Sequence, residues 1–572
     1  MHRRDTRIGI ITVLLVLASR TLVLGVLFDP GFGTGGKVEA PVSGAAGFEG
    51  AAGVVLEPGT GRIFLATRLG ELLAYLPDGM LDGTFGTAGR VDVIDPTARR
   101  LTALVRQPAD GKLVAVGIEV TGPQETATAT VIRRYDAQGM LDAGFGTAGE
   151  VVTTQPVRAF AALVQPDGAI VVAGRGADET SPGAITRFLS DGSPDPGFGA
   201  GGTVVLNGLT GPGSIRPAAL LIVAGKLVVG GVAQDDYAIV RYEADGTPDA
   251  SFGTGGLVKT TVADPFESGI NALVQQTDGK LVAVGGYITT GAVRYLPDGT
   301  LDASYGTGGI LYVHGAGATT AVLDDDAVVM TDGPTIFRVR TDGTLDPDFA
   351  PCLVAFQNFV TAAPLTGIVR QADGKLVVAC GAGYAVARLL RYTTGTSVCQ
   401  PAAAGRAKLS VHVRGFEDSS RAVSWKWKSS ADVAQSDFGN PLLPTGDGYL
   451  MCIVEDGPPA VFRGYVSYGV NGSNCAAQPA DPNCWQATAA GYQVNRQIYR
   501  GSGLRMTLQA GVSGRGRIAV KSKGVDSGLV PKPPYGVPLT VRFDRGGSPF
   551  CWESHFTTAS HDDSKAFTAK SD

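Results

Sequence analysis

Five histidines, His2, His314, His412, His555 and His561, bound the imidazole chemistry open to this 572-residue chain. A Ser-His-Asp relay or a zinc site of the HExxH type has to draw on them. No HExxH occurs, and no Gly-x-Ser-x-Gly elbow sits in a strand-turn-helix context. Carboxylates are abundant, but they cluster in Asp-Gly and Leu-Asp turns, where Asp bonds its own backbone. No pair of them stands out for glycosidic acid–base work. The same turns make Ca2+ a candidate cofactor, yet no loop carries the fixed ligand ladder of a calcium motif. Asp324-Asp325-Asp326 reads as a solvated hairpin tip. His555 and His561, near Asp562-Asp563, read as part of a solvated tail rather than a metal site. The Gly-Thr-Gly-Gly runs lack a following Lys-Ser/Thr and open no helix, which speaks against phosphate loops. No catalytic, cofactor-binding or metal-binding residue is assigned.

The seven cysteines suggest oxidative chemistry instead. Cys475 and Cys484 bracket a short Pro/Asn-rich loop and form the first candidate disulfide. Cys452 with Cys551, and Cys352 with Cys399, are further candidate pairs. Cys380 ends an apolar strand pattern that begins at Leu376 and reads as a buried free thiol. Spacing alone does not fix connectivity. The compartment fits. Residues 1–7 are charged, Ile8–Ala18 is an apolar run, and small residues follow, so residues 1–25 read as a secretory signal peptide. Arg20 disfavours an uncleaved anchor, because a central Arg costs about 2.5–3.5 kcal/mol on insertion scales.

The elements that must position these residues are set by glycine. There are 81 glycines, with 44% hydrophobic and 18% charged residues and a net charge of −5. That composition excludes disorder and a helical array. Self-comparison shows why glycine is so frequent. A corner resembling Leu-Asp-x-x-Phe-Gly-Thr-Gly-Gly recurs with its aromatic at Phe32, Phe85, Phe145, Phe198, Phe252 and Tyr305, and a seventh copy at Phe349 lacks the Gly-Thr-Gly-Gly tail. A second motif, Asp-Gly-Lys-Leu-Val-Ala-Val, runs out of phase with it, and an Arg-Tyr strand precedes each next corner. Four short strands per roughly 53 residues match one propeller blade. The repeated aromatic is expected as a buried knob between blades. The longest insertion, Gly122 to Thr130, falls in the second copy.

The compound motif resembles the delta-60 repeat of bacterial secreted proteins, across residues 27–395. That resemblance implies a β-propeller and a secreted setting. It transfers no catalytic residue.

After Cys399-Gln-Pro the repeat stops. Residues 405–572 hold all four tryptophans and several alternating runs, such as Val423-Ser-Trp-Lys-Trp-Lys428. Strict alternation indicates half-buried antiparallel strands. The predicted organisation is all-β: a signal peptide over 1–25, a seven-bladed β-propeller over 27–398, and a disulfide-stapled β-sandwich over 405–572. From residue 400 onward, 19 Lys and Arg face 14 Asp and Glu, whereas the repeat region is strongly acidic. No dense basic stripe is visible along the chain, so nucleic acid is not expected as a partner. No second long apolar run would hold the mature chain in a membrane. The expected function is an exported, non-enzymatic binding or surface-scaffold protein. It would be secreted, periplasmic or on the cell surface, with an extracellular protein or glycan as partner. The other reading is an extracellular polysaccharide-active hydrolase or lyase on the propeller scaffold.

Overall fold

The computed structural model describes residues 23–572, apart from 30, 35, 42–49, 94–98, 123–125, 156–157, 177–181, 207–214, 263–268, 287–288, 315–317, 333–334, 347–348, 350–364, 383–385, 414–420, 439, 443–448, 456–460, 469–483, 498–502, 513–514, 524–534, 536 and 546–549. The signal-peptide reading and Cys352 and Cys475 therefore lie largely or wholly outside the described residues. Among the described residues the fold is all-β, with a short 3-10 turn at Gln435–Phe438 and no α-helix.

Each repeat folds as a small antiparallel sheet. In the fifth, Ile270–Gln275, Leu281–Gly285, Thr289–Tyr295 and Ile310–His314 lie in sequence order. The turn between the first two is made by Asp278-Gly279: the Lys280 N–H donates to Asp278 Oδ1 at 3.1 Å, and Gly279 takes φ +84°. Leu281–Gly285 is buried along its whole length, as an unbroken apolar run demands of a strand covered on both faces. Four more four-stranded sheets repeat this order. A three-stranded sheet, Ala321–Asp324, Ala327–Asp332 and Thr335–Val339, follows. The insertion near Gly122 is no large loop: the strands Leu113–Thr121 and Thr126–Tyr135 run into it and lengthen the hairpin.

The last repeat is completed from the other end of the chain. Leu365–Arg370, Leu376–Ala382 and Val386–Pro401 pair in order, and Lys37–Pro41 adds to Val386–Pro401 with Lys37 opposite Leu390. Val23–Phe28 pairs farther along the same strand. The first strands of successive sheets pack against one another from Ala51–Leu56 through Arg99–Arg106, Arg158–Val164, Arg216–Val223, Ile270–Gln275 and Ala321–Asp324 to Leu365–Arg370, which returns to Ala51–Leu56. Six of them carry a register shift at the same place, such as Ile270/Ala272 and Leu365/Gly367. A bulge there increases the local twist.

Val386–Pro401 leaves the repeats and pairs parallel with Phe550–Phe556. That strand belongs to an antiparallel set with Leu539–Arg545, Tyr449–Glu455 and Val461–Tyr468. An eight-stranded sheet contributes the other side of a common core. Trp425 and Trp427 from it, with Met451, Phe543 and Trp552 from its counterpart, are all fully buried. Phe543 lies 5.9 Å from Trp425 and 5.6 Å from Tyr449, ring centre to ring centre. Burying side chains of this size supplies about 1.5–3 kcal/mol each.

Candidate functional site

The polar residues that recur in the repeats form one cluster per repeat. In the fourth, the Arg-Tyr strand presents Arg241 and the corner presents Asp249. Arg241 Nε donates to Asp249 Oδ2 at 2.6 Å, and Lys226 Nζ reaches the same oxygen at 2.9 Å. The other carboxylate oxygen accepts from the Ser251 N–H at 3.0 Å, closing an Asx turn. The guanidinium stacks 4.5 Å above the Phe252 ring and donates through Nη1 to the Pro297 carbonyl of the next repeat at 2.6 Å. Arg134 with Asp142, Arg187 with Asp195, and Arg294 with Asp302 repeat the arrangement. The Lys226 ammonium and the Ser251 hydroxyl hold Asp249 far below the usual carboxylate range. Burial alone would raise Asp302; the bonds from Ser304 and the Arg294 and Lys280 charges outweigh it and bring it to about 2. A carboxylate held so firmly ionised, with both oxygens engaged, is a poor proton donor. The cluster is a mechanical joint between repeats.

The repeated aromatics complete the joint. Phe32, Phe85, Phe145, Phe198, Phe252, Tyr305 and Phe349 are all buried, none more than 5% exposed. Beside each of the first six, the glycine after the aromatic donates its N–H to a turn carbonyl of the next repeat, as Gly199 does to Asp245 at 2.8 Å. The turn glycine behind that carbonyl, Gly246, leaves the Phe198 ring within 3.1 Å of where a Cβ would stand.

Several expectations need correction. Asp324 is not a solvated tip residue: it is buried and accepts from Arg338 at 2.9 Å and Arg370 at 2.6 Å, while Asp325 alone of the three is exposed. The chain end is not a solvated tail. Ala559–Asp562 and Ala566–Lys570 form a hairpin, and the second strand lies inside the eight-stranded sheet against Lys408–Val413. His561 sits 3.0 Å from Asp563 in that hairpin, and His555 pairs with Thr540 at 2.8 Å. His412 is exposed on the same sheet; the His314 side chain is outside the described residues. Among the described residues no three His, Cys, Asp or Glu side chains are placed to hold a metal ion.

The pairing of Cys551 with Cys452, and of Cys399 with Cys352, is also overturned. Cys399 is bonded to Cys551. The parallel register sets these two residues opposite each other, with Cα atoms 4.4 Å apart. Cys452 lies two strands from Cys551, opposite Arg542. Cys484 is disulfide-bonded too. The side chains of Cys380 and Cys452 are outside the described residues.

Folding also creates a feature that the linear sequence hides. In the eight-stranded sheet the strand order places Gly491–Gln497, Gly503–Gln509, Arg517–Lys523, Arg421–Lys428, Lys408–Val413 and Ala566–Lys570 side by side. Alternation sends Trp425, Trp427, Ile518 and Val520 inward, and Lys426, Lys428, Arg517 and Lys521 outward. Cross-strand register then sets like charges directly opposite: Lys408 against Lys426 and against Lys570, Lys428 against Arg517, and Arg505 against Lys521. These six strands contain no Asp or Glu. Among the described residues Lys408, Lys426, Lys428, Arg517 and Lys521 form no ion pair. A cleft of about 330 Å³ opens among Lys426, Lys428, Arg505, Thr507, Arg517 and Lys521. The signal was present as Lys-Trp-Lys alternation, but adjacency came from a non-sequential strand order.

Four segments, residues 109–145, 165–198, 225–252 and 276–305, match the family model described as "Domain of unknown function (DUF5122) beta-propeller". Among solved structures the chain is similar to one titled "Structure of Dos1 propeller", at 12% identity and a TM-score of 0.40, over 60% of this chain and 78% of that one. No curated protein matches. The chain thus carries propeller-like repeats of four-stranded sheets, and four of its segments are similar to a β-propeller family model.

Proposed function

We propose that the chain is an exported, non-enzymatic binding protein, in which a seven-bladed propeller of the delta-60 kind carries a C-terminal β-sandwich that presents a binding face. The cyclic packing of the first strands, with Lys37–Pro41 completing the last sheet, supports ring closure. The core shared between the two C-terminal sheets supports the sandwich. The signal-like residues 1–25 and the Cys399–Cys551 bond support an oxidising compartment outside the cytoplasm.

One observation carries the functional reading. The charged residues that recur in the repeats are committed to neighbouring repeats, while unpaired charge gathers on one sheet face. The ring then serves as a rigid support and the appended sheet as the recognition surface. The test is to screen the full chain against arrayed glycans and cell-surface protein extracts, with a parallel assay for polysaccharide cleavage. Saturable binding without turnover is expected. Reproducible cleavage would move the assignment to the hydrolase or lyase reading. N-terminal sequencing of the exported protein is expected to begin near Gly25; an intact Met1 would overturn export by cleavage.

A further inference from the structure

From the outer face of the eight-stranded sheet we infer that it binds a linear acidic polysaccharide through the carboxylates of its sugar units. This deepens the binding-protein reading and rests on it. Like charges directly opposite on neighbouring strands destabilise a sheet. Here Lys570, Lys408 and Lys426 stand in one cross-strand row, with Lys428 against Arg517 and Arg505 against Lys521 beside it. A folded chain that keeps this repulsion without a single carboxylate in the six strands has a face completed by an external polyanion.

The chemistry of the face selects the class of polyanion. Its outward positions between the cations include Ser410, Ser424, Thr507 and Thr568 beside the small Ala519, with Asn495 accepting from Arg505 at 3.1 Å. Hydroxyls and amides of this sort match a hydroxyl-rich chain. The aromatic residues of these strands, Trp425, Trp427, Tyr492 and Phe567, all point inward and are buried. The face therefore offers no stacking platform for the bases of single-stranded nucleic acid. Among the described residues it offers no apolar side chain large enough to enter a bilayer. Six strands at about 4.8 Å spacing make the face ~24 Å wide, which suits several consecutive sugar units rather than one small anion. The central cleft, at about 330 Å³, is at the small end of ligand sites and admits part of such a chain.

The experiment uses the full chain and polygalacturonate as the probe, with dextran as the neutral glycan and a DNA duplex as the competing polyanion. Saturable binding to polygalacturonate is expected, weakening as salt is raised. The double variant Lys426→Gln/Lys521→Gln should lose at least about tenfold in affinity, and Lys426→Arg should retain it. Without ligand, the double variant should melt no lower than the parent chain, because it relieves repulsion. That readout separates lost recognition from lost folding. Equal binding to dextran, unchanged affinity of the double variant, or a duplex bound at least about tenfold tighter than polygalacturonate would each overturn the inference. If polygalacturonate fails while the array screen still finds a ligand, this inference falls alone; if both fail, the binding-protein reading falls with it.

Discussion

Arg241 and Asp249 lie 2.6 Å apart at the end of one repeat, and the same arginine donates to the Pro297 carbonyl of the next. Arg241 is 11% and Asp249 3% exposed at the side chain. Breaking a buried pair from one side strands a charge and costs about 3–5 kcal/mol. Lys226 still reaches Asp249 in the variant, so Arg241→Met should lower stability by less than that, about 1.5–3 kcal/mol, in urea unfolding. Arg241→Lys should lose part of it, since a point charge cannot serve Asp249 and Pro297 together. A change within about 0.5 kcal/mol for Arg241→Met, the range of an ordinary surface substitution, would contradict the joint.

Acid should act on all the joints together. Asp82, Asp142, Asp195, Asp249 and Asp302 are each held below the ordinary carboxylate value, Asp142 and Asp249 first by a lysine bond, the others by arginine, hydroxyl and backbone bonds that overcome burial. A carboxylate lowered on folding stabilises fully above its unfolded value, near 3.9, and loses that contribution as pH falls through the folded value. Stability should thus hold between about pH 5 and 7 and decline steeply from about pH 4 toward pH 2. Thermal melts at fixed ionic strength across that range check this. A melting temperature that stays level down to pH 2 would show that the joints carry no linked protons.

How much of this was legible follows from where the determinants lie. The corners and Asp-Gly turns are local, so the repeat and the burial of Phe198 or Phe252 can be read from spacing. Each buried Asp is readable as a turn former, because its Oδ1 bonds two residues ahead; its second bond, to an arginine eight residues back, depends on how the strand folds against the corner and leaves no local signal. The pairing of Lys37–Pro41 with Val386–Pro401 joins segments that share no local pattern, and a bulge such as Ile270/Ala272 is one residue in an otherwise ordinary strand. Cys399 and Cys551 meet through a parallel pairing that no spacing rule anticipates. The basic face needed the strand order as well as the alternation.

The turn glycines divide into those the joint requires and those it does not. Gly246 has φ +85°, and a Cβ there would stand 2.8 Å from Val204 and 3.1 Å from Phe198. Gly201 has φ +62° with nothing within 4 Å. A left-handed conformation costs a non-glycine residue about 1–2 kcal/mol, and forced overpacking adds about 1–3 kcal/mol. Gly246→Ala should therefore destabilise by about 2–5 kcal/mol and Gly201→Ala by about 1–2 kcal/mol. Equal effects in denaturant titrations would mean that the approach of Phe198 to the turn is not tight.

The Cys399–Cys551 bond closes a separation of 152 residues and fastens the strand that leaves the last repeat to the C-terminal core. Cys551 is 1% and Cys399 8% exposed, so the bond lies inside the junction. A non-reducing digest of the protein should yield one peptide containing both residues, and none linking Cys551 to Cys452. Long-loop disulfides stabilise mainly by restricting the unfolded chain, typically by 2–5 kcal/mol when a native one is removed. Cys399→Ser/Cys551→Ser should lower the unfolding midpoint by about that equivalent, while the parallel pairing from Val398 to Pro401 still seats the strand. The parent chain melted in dithiothreitol should approach the double variant. If reductant leaves the parent unchanged while the double variant is destabilised, the loss arises from packing of the serines and not from the bond.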